Sequence, residues 1–193
     1  MVDWNNSSGL FDDSHGLVAI FTHADTCPKT GQPRQRQSLA YSSDKGRTWH
    51  KYEGNPVLAE DDLIDFRDPK VFWHPQSERW VMVLVAGDHA RFYGSKNLLE
   101  WTLTGEFGKG EGSHDGVWEC PDLFELPVGD SGRSKWVLII SIGDNPSVPE
   151  DRERSILLAS STEIHSSMTN LRIGSCGWIM DETTMQGDLV GYT

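Results

Sequence analysis

The nine residues Tyr41-Ser42-Ser43-Asp44-Lys45-Gly46-Arg47-Thr48-Trp49 return as Tyr93-Gly94-Ser95-Lys96-Asn97-Leu98-Leu99-Glu100-Trp101, with the same Tyr-to-Trp interval. A step of about 50 residues is in the range of propeller blades. A hairpin that closes on a Trp suits a four-stranded blade whose outer strands pack on the next blade. Two unrelated hairpins in a β-sandwich would give the same pair, and the repeat alone leaves that alternative open. The rest of the chain reads as all-β: short runs rich in β-branched and aromatic residues, separated by Gly, Pro, Asn and Asp clusters. Strands are predicted at Leu17–Thr22, Ser38–Ser42, Lys70–Trp73, Trp80–Ala86, Arg91–Gly94, Leu123–Leu126 and Lys135–Ile142, with turns at Asp44-Lys45-Gly46 and Gly129-Asp130. No amphipathic helix is predicted before Ser155.

Charge narrows the classes of partner. Seventeen basic against 29 acidic side chains give a net charge of -12, which opposes binding to nucleic acid or to an anionic membrane surface. A neutral, hydroxyl-rich ligand fits better. The eight tryptophans serve either as props between sheets or as flat faces for sugar C–H groups, and composition does not separate the two roles. The three cysteines, Cys27, Cys120 and Cys176, have no metal-like spacing, so neither a disulfide framework nor a zinc site is expected, and Cys120 reads as a small buried residue. The N-terminal stretch carries Asp3, Asp12 and Asp13 without a basic segment followed by an apolar one, so no signal peptide is read there. Trp80–Ala86, the longest apolar run, is too short to span a bilayer.

Two motifs carry chemistry: Phe66-Arg67-Asp68-Pro69 and Trp118-Glu119-Cys120-Pro121-Asp122-Leu123. Glycosidic cleavage needs carboxyl groups in different protonation states around one sugar. Glu119, flanked by Trp118 and Cys120, has the makings of the proton-carrying acid, whereas Arg67 beside Asp68 favours an ionised carboxylate. The motifs lie nearly one repeat apart, which would bring both to the axis of a propeller. A solvated turn for Arg67-Asp68 and a sheet-edge acid for Glu119 are the competing readings.

Taken together, Asp65-Phe66-Arg67-Asp68-Pro69-Lys70-Val71-Phe72-Trp73-His74, the following Trp80-Val81-Met82-Val83-Leu84, and Gly116-Val117-Trp118-Glu119-Cys120-Pro121-Asp122-Leu123-Phe124 resemble glycoside hydrolase family 32, the family of invertases, inulinases and levanases. The resemblance runs from about Val2 to Asn145. It implies a five-bladed β-propeller with an added β-sandwich, and retaining hydrolysis of terminal β-fructofuranosyl units in sucrose or fructans such as levan and inulin. It also implies that Glu119 is the general acid/base, that Asp68 stabilises the transition state and binds fructose hydroxyls, and that Arg67 and Trp118 join Asp68 in contacting substrate. No metal and no organic cofactor is implied, and family members are often secreted. A fructosyltransferase on the same scaffold and a non-catalytic carbohydrate-binding or defunct product remain open.

The family nucleophile is an Asp in a Trp-x-Asn-Asp-Pro-Asn-Gly segment, which these 193 residues do not contain; Asp3-Trp4-Asn5-Asn6 is not a substitute. The expectation is therefore an incomplete propeller over residues 1–154, truncated at both ends and inactive by itself, since a retaining glycosidase without its nucleophile forms no covalent intermediate. Residues 155–193 lose the strand pattern and are read as an aberrant tail, out of frame or disordered. A one-nucleotide shift forces Asp from Trp178 into Ile179, Gly from Met180 into Asp181, Arg or a stop from Asp181 into Glu182, and Ala from Met185 into Gln186. The shifted frame can then read VDYGRDNYAG, and from Ser155 onward QYFIGEFDGNTF, both similar to family segments. The underlying nucleotides are expected to spell these strings in the shifted frame; codons that cannot do so would end the out-of-frame reading.

Overall fold

The computed structural model describes residues 1–12, 15–110, 114, 116–127, 130, 132, 134–142 and 154–158, the last five by backbone only. Twelve strands form three antiparallel sheets in chain order. The first holds β1 (Val2–Asp3), β2 (Gly16–Thr26), β3 (Pro33–Ser42) and β4 (His50–Lys51) in that order, with β5 (Leu58–Ala59) also on β3. The second is β6 (Phe66–His74), β7 (Arg79–Ala86), β8 (His89–Ser95) and β9 (Thr102–Phe107). The third is β10 (Trp118–Pro127), β11 (Ser134–Ile142) and β12 (Arg154–Leu158). The described residues contain no α-helix, only a 3-10 turn at Pro75–Ser77.

The sequential up-and-down order within each sheet is that of successive propeller blades, and the chain forms part of a five-bladed β-propeller. All seven predicted strands are present, most of them longer than predicted. β12 crosses the boundary after residue 154 drawn from the sequence. Residues 159–193 of the expected tail, Cys176 among them, lie outside the described residues, as do Asp13 and Gly129.

β7 explains how the sheets stack. Every residue from Trp80 to Ala86 is buried, which in an antiparallel sheet requires cover on both faces. Side chains alternate across a strand, so Val83 and Val85 meet Trp118, Leu138 and Ile140 of the third sheet. Met82, Leu84 and Ala86 meet Ile20 and Leu58 of the first. Trp80 joins Val18 and Leu39 of the first sheet and Phe11 of the loop before β2. Each such side chain taken from water contributes about 1.5–3 kcal/mol.

The repeated hairpin is one piece of geometry used twice, joining β3 to β4 and β8 to β9. Trp49 Nε1 donates to Gly46 O (3.1 Å) and Trp101 Nε1 to Leu98 O (3.0 Å). Gly46 and Leu98 both take positive φ, 84° and 64°, and their N–H groups donate to the hydroxyls of Ser42 (2.8 Å) and Ser95 (2.9 Å). The left-handed backbone costs Leu98 about 1–2 kcal/mol, offset by complete burial of its side chain. Hydrogen bonds from the Thr48 N–H, the Thr48 hydroxyl and the Ser42 hydroxyl hold the Asp44 carboxyl at about 2. These Trp residues are therefore struts of the turn.

Across β8 and β9, Glu106 accepts from Lys109 Nζ (2.8 Å) and Arg91 Nε (2.7 Å). Lys109 first, and then Arg91, hold the Glu106 carboxyl at about 2, below its ordinary 4.5. A depressed carboxylate stabilises the fold above its unfolded value, and that contribution is lost as pH falls through the folded one. Glu106→Gln should therefore lower the thermal midpoint at pH 6 and have a smaller effect as pH falls from 4.5 towards 2. A difference in midpoint that does not change with pH would contradict this role.

Candidate active site

The two motifs fold into the same backbone device on successive sheets. In β6 the register with β7 passes from Arg67↔Val85 to Lys70↔Val83. In β10 the register with β11 passes from Glu119↔Ser141 to Asp122↔Ile139. Each break is a β-bulge with one extra residue, the kind of irregularity that re-aims side chains beside active sites. The bulged residues Asp68 and Cys120 carry φ of 60° and 48°, and each is followed by a proline, which lacks a ladder donor and so fits a bulge. Phe66, Arg67, Asp68, Pro69 and Lys70 thus occupy the places of Trp118, Glu119, Cys120, Pro121 and Asp122. The structural counterpart of Asp68 is Cys120, and that of Glu119 is Arg67.

The bulges are held by hydrogen bonds that run from sheet to sheet. Cys120 N–H donates to Asp68 Oδ2 (2.9 Å), and Asp68 N–H donates to Thr22 Oγ1 on β2 (3.0 Å). The Thr22 hydroxyl donates to Gln37 Oε1 on β3 (3.3 Å). Gln37, fully buried, donates from Nε2 to Phe66 O (2.6 Å), while Phe66 N–H donates to Gln35 Oε1 (3.1 Å). Positive φ at a non-glycine residue persists only where the surroundings over-determine it, and Thr22, Gln35 and Gln37 do so here. None of the three was a candidate from sequence, because a polar residue in a hairpin carries no signal of what it will face.

Arg67 gathers the carboxylates. Its guanidinium pairs with Asp65, lies 3.7 Å from Asp68 Oδ2 through Nε, and donates from Nη2 to Glu119 Oε1 at 3.2 Å. Its side chain is only 14% exposed, against 29% for Asp68 and 44% for Glu119. A second pair links the same two positions further along the strands, Lys70 Nζ to Asp122 Oδ1 at 2.8 Å. The structure thus brings Arg67, Asp68 and Glu119 together at one junction, in strands rather than in a solvated turn. Among the described residues no group of three or more His, Cys, Asp or Glu is placed to hold a metal ion.

Two expectations are corrected. Trp118, expected to contact substrate, is 1% exposed and packs in the core with Val83, Phe92, Leu138 and Ile140. Gly108 lies so close that a Cβ there would fall 2.2 Å from the Trp118 ring, and its φ of 100° independently demands glycine. Alternation across β10 sends Trp118 inwards where Glu119 points to the junction. Cys120, expected to be buried, is exposed, because the bulge turns it out of the alternation. Partial burial first, then the carboxylates of Asp68 and Glu119, push the Cys120 thiol above its ordinary value. The Thr30 hydroxyl, with the backbone N–H groups of Thr30 and Lys29, draws the Cys27 thiol below it.

Strand order, bulges and the carboxylates that Arg67 bridges define part of a propeller with a charged cluster at a junction between sheets. The family model for the glycosyl hydrolases family 32 N-terminal domain matches residues 3–174, and the chain belongs to that family. Among relatives, a levanase of Bacillus subtilis (strain 168) is 53% identical over 146 residues, covering 75% of this chain and 21% of the relative. An extracellular exo-inulinase of Meyerozyma guilliermondii is 43% identical over 155 residues, covering 77% of this chain and 28% of the relative. Among solved structures, exo-inulinase from Aspergillus awamori superposes with a TM-score of 0.70 at 35% identity over 83% of this chain and 34% of that one. A β-fructofuranosidase from Schwanniomyces occidentalis complexed with fructosyl-erythritol gives 0.68 at 36% identity over 82% and 30%. The chain spans about a third or less of the length of each.

Because the thiolate is the reactive form, Cys27 should be alkylated by iodoacetamide at pH 7.5 several times faster than Cys120, as read by peptide mass spectrometry. Faster labelling of Cys120, despite two carboxylates beside it, would contradict the geometry at the bulge.

Proposed function

We propose that these residues form part of the catalytic centre of a β-fructosidase, a retaining glycoside hydrolase that releases terminal β-fructose from sucrose or fructans. One observation carries the reading: a single guanidinium, that of Arg67, lies against the carboxylates of both motifs, Asp68 and Glu119, at adjoining bulges. The relatives, levanases and exo-inulinases among them, supply the substrate class.

In this reading Glu119 delivers its proton to the glycosidic oxygen as the bond to the leaving group breaks. It later takes a proton from the water that releases fructose. Asp68 accepts hydrogen bonds from fructose hydroxyls and opposes the positive charge that develops on the ring, an interaction stronger in the transition state than in the ground state. Arg67 orients both carboxylates, being the least exposed of the three and tied to a third acid, Asp65. The 193 residues hold no Trp-x-Asn-Asp-Pro-Asn-Gly segment, and this reading assigns no attacking carboxylate among them. The propeller part reaches the end of β12 at Leu158, and the aberrant tail of this reading begins beyond it.

A chimera in which residues 2–142 replace the matching segment of the Bacillus subtilis levanase should hydrolyse levan and sucrose. In that chimera Glu119→Gln should lower turnover of sucrose by about 10²–10⁴-fold, the usual worth of a positioned proton donor. A fructoside with a good leaving group should be affected much less. Near-normal turnover of sucrose by the variant would remove Glu119 from the mechanism.

A further inference from the structure

Trp4 is 68% exposed, the most exposed large hydrophobic residue among those described. It directly follows β1, and its indole has one ring neighbour, His15, at 5.2 Å and tilted by 33°. Beside it opens a cavity of about 220 Å³ whose lining includes Asp3, Trp4, Asn5, Ser7, Trp73 and Trp80. Trp73 and Trp80 meet edge to face at 5.4 Å. Trp80 is fixed by its indole N–H, which donates to Ser7 Oγ (2.9 Å). The Ser7 hydroxyl in turn donates to Asp3 Oδ1 (2.9 Å), and the other Asp3 oxygen accepts from Ser8. The polar floor is therefore self-satisfied and rigid. Asn5 is exposed, and its carboxamide, like the indole N–H groups of Trp4 and Trp73, has no hydrogen-bond partner among the described residues.

We propose that this cavity is a second, non-catalytic sugar-binding site that holds one ring of a neutral polysaccharide. The combination is what a sugar requires: an exposed aromatic face for the C–H side of the ring, and uncommitted N–H and C=O groups for its hydroxyls. The volume lies below the roughly 300–1,000 Å³ of sites for drug-sized ligands and suits a single ring of a chain. A buried carboxylate in the wall, Asp3, and a net charge of -12 select against anionic ligands.

The site lies apart from the catalytic motifs. Trp73 pairs with Trp80 at one end of β6 and β7, whereas Arg67 pairs with Val85 near the other, about 20 Å along the strand. One sugar ring cannot touch both, so a polymer anchored at Trp4 leaves the bulges open. That the polymer is a fructan rests on the function proposed above.

The test is electrophoresis of the 193-residue chain in native gels with and without dissolved levan. The wild type should be retarded by levan, and Trp4→Ala should weaken the apparent affinity about tenfold, the loss of one stacking face. Asn5→Ala should also weaken it, and Leu126→Ala, an exposed apolar side chain outside the cavity lining, should be retarded as the wild type is. The three replaced residues, Trp4, Asn5 and Leu126, are exposed, and far-ultraviolet circular dichroism checks that the fold persists. Absence of retardation in the wild type, undiminished retardation of Trp4→Ala, or its loss in Leu126→Ala would overturn the proposal. A failure of the acid test on Glu119 would leave these results untouched, so the two readings stand or fall separately.

Discussion

The double burial of β7 is the constraint on which the rest of the structure depends. A strand with one wet face could sit at the edge of any antiparallel sheet, but Trp80–Ala86 has no wet face. Met82, Leu84 and Ala86 commit it to the first sheet, and Val83 and Val85 to the third. The second sheet is therefore clamped between two others. The first strand of each of the two later sheets, β6 and β10, is brought alongside the other by that packing, and a register slip of one residue in β7 would exchange its two faces.

Given that stacking, the site needs only local deviations. A regular strand would send Arg67 and Asp68 to opposite sides of β6. The bulge relaxes that alternation, and the neighbouring sheet takes up the displaced N–H in each case, Thr22 for Asp68 and Asp68 for Cys120. Asp68 thus acts twice, as a carboxylate facing the junction and as the acceptor that holds the next bulge in place. Gln37 works at the same junction from inside the core, where its amide would be costly without both of its partners.

Much of this was legible in the residues. The short runs rich in β-branched and aromatic residues gave the central strands, the Tyr-to-Trp repeat gave the stacking of like sheets, and the two motifs gave Arg67, Asp68 and Glu119. What stayed hidden has physical causes. The polar ends of β2 and β3 read as loop, yet they pair through Thr26 and Pro33, with Asp25 holding Arg34 and Arg36. β9 is an outer strand with half-exposed residues and no clear alternation. β6 starts four residues before its predicted Lys70 because Arg-Asp-Pro looks like a turn when it is a bulge within a strand. The matching bulge in β10 reverses what alternation says of Cys120, and Trp118, placed just before it, is a core residue whose sequence context resembles that of a binding residue.

The step-for-step correspondence of Phe66–Lys70 with Trp118–Asp122 means that one backbone solution has been filled twice with different chemistry. Where one copy has Arg the other has Glu, and where one has Lys the other has Asp, so each copy presents the charges the other lacks. Two identical copies would set like charges against each other at both places. The difference between the two units thus sets opposite charges against each other at the joint: the asymmetry that separates two roles in chemistry is the same asymmetry that pairs Arg67 with Glu119 and Lys70 with Asp122.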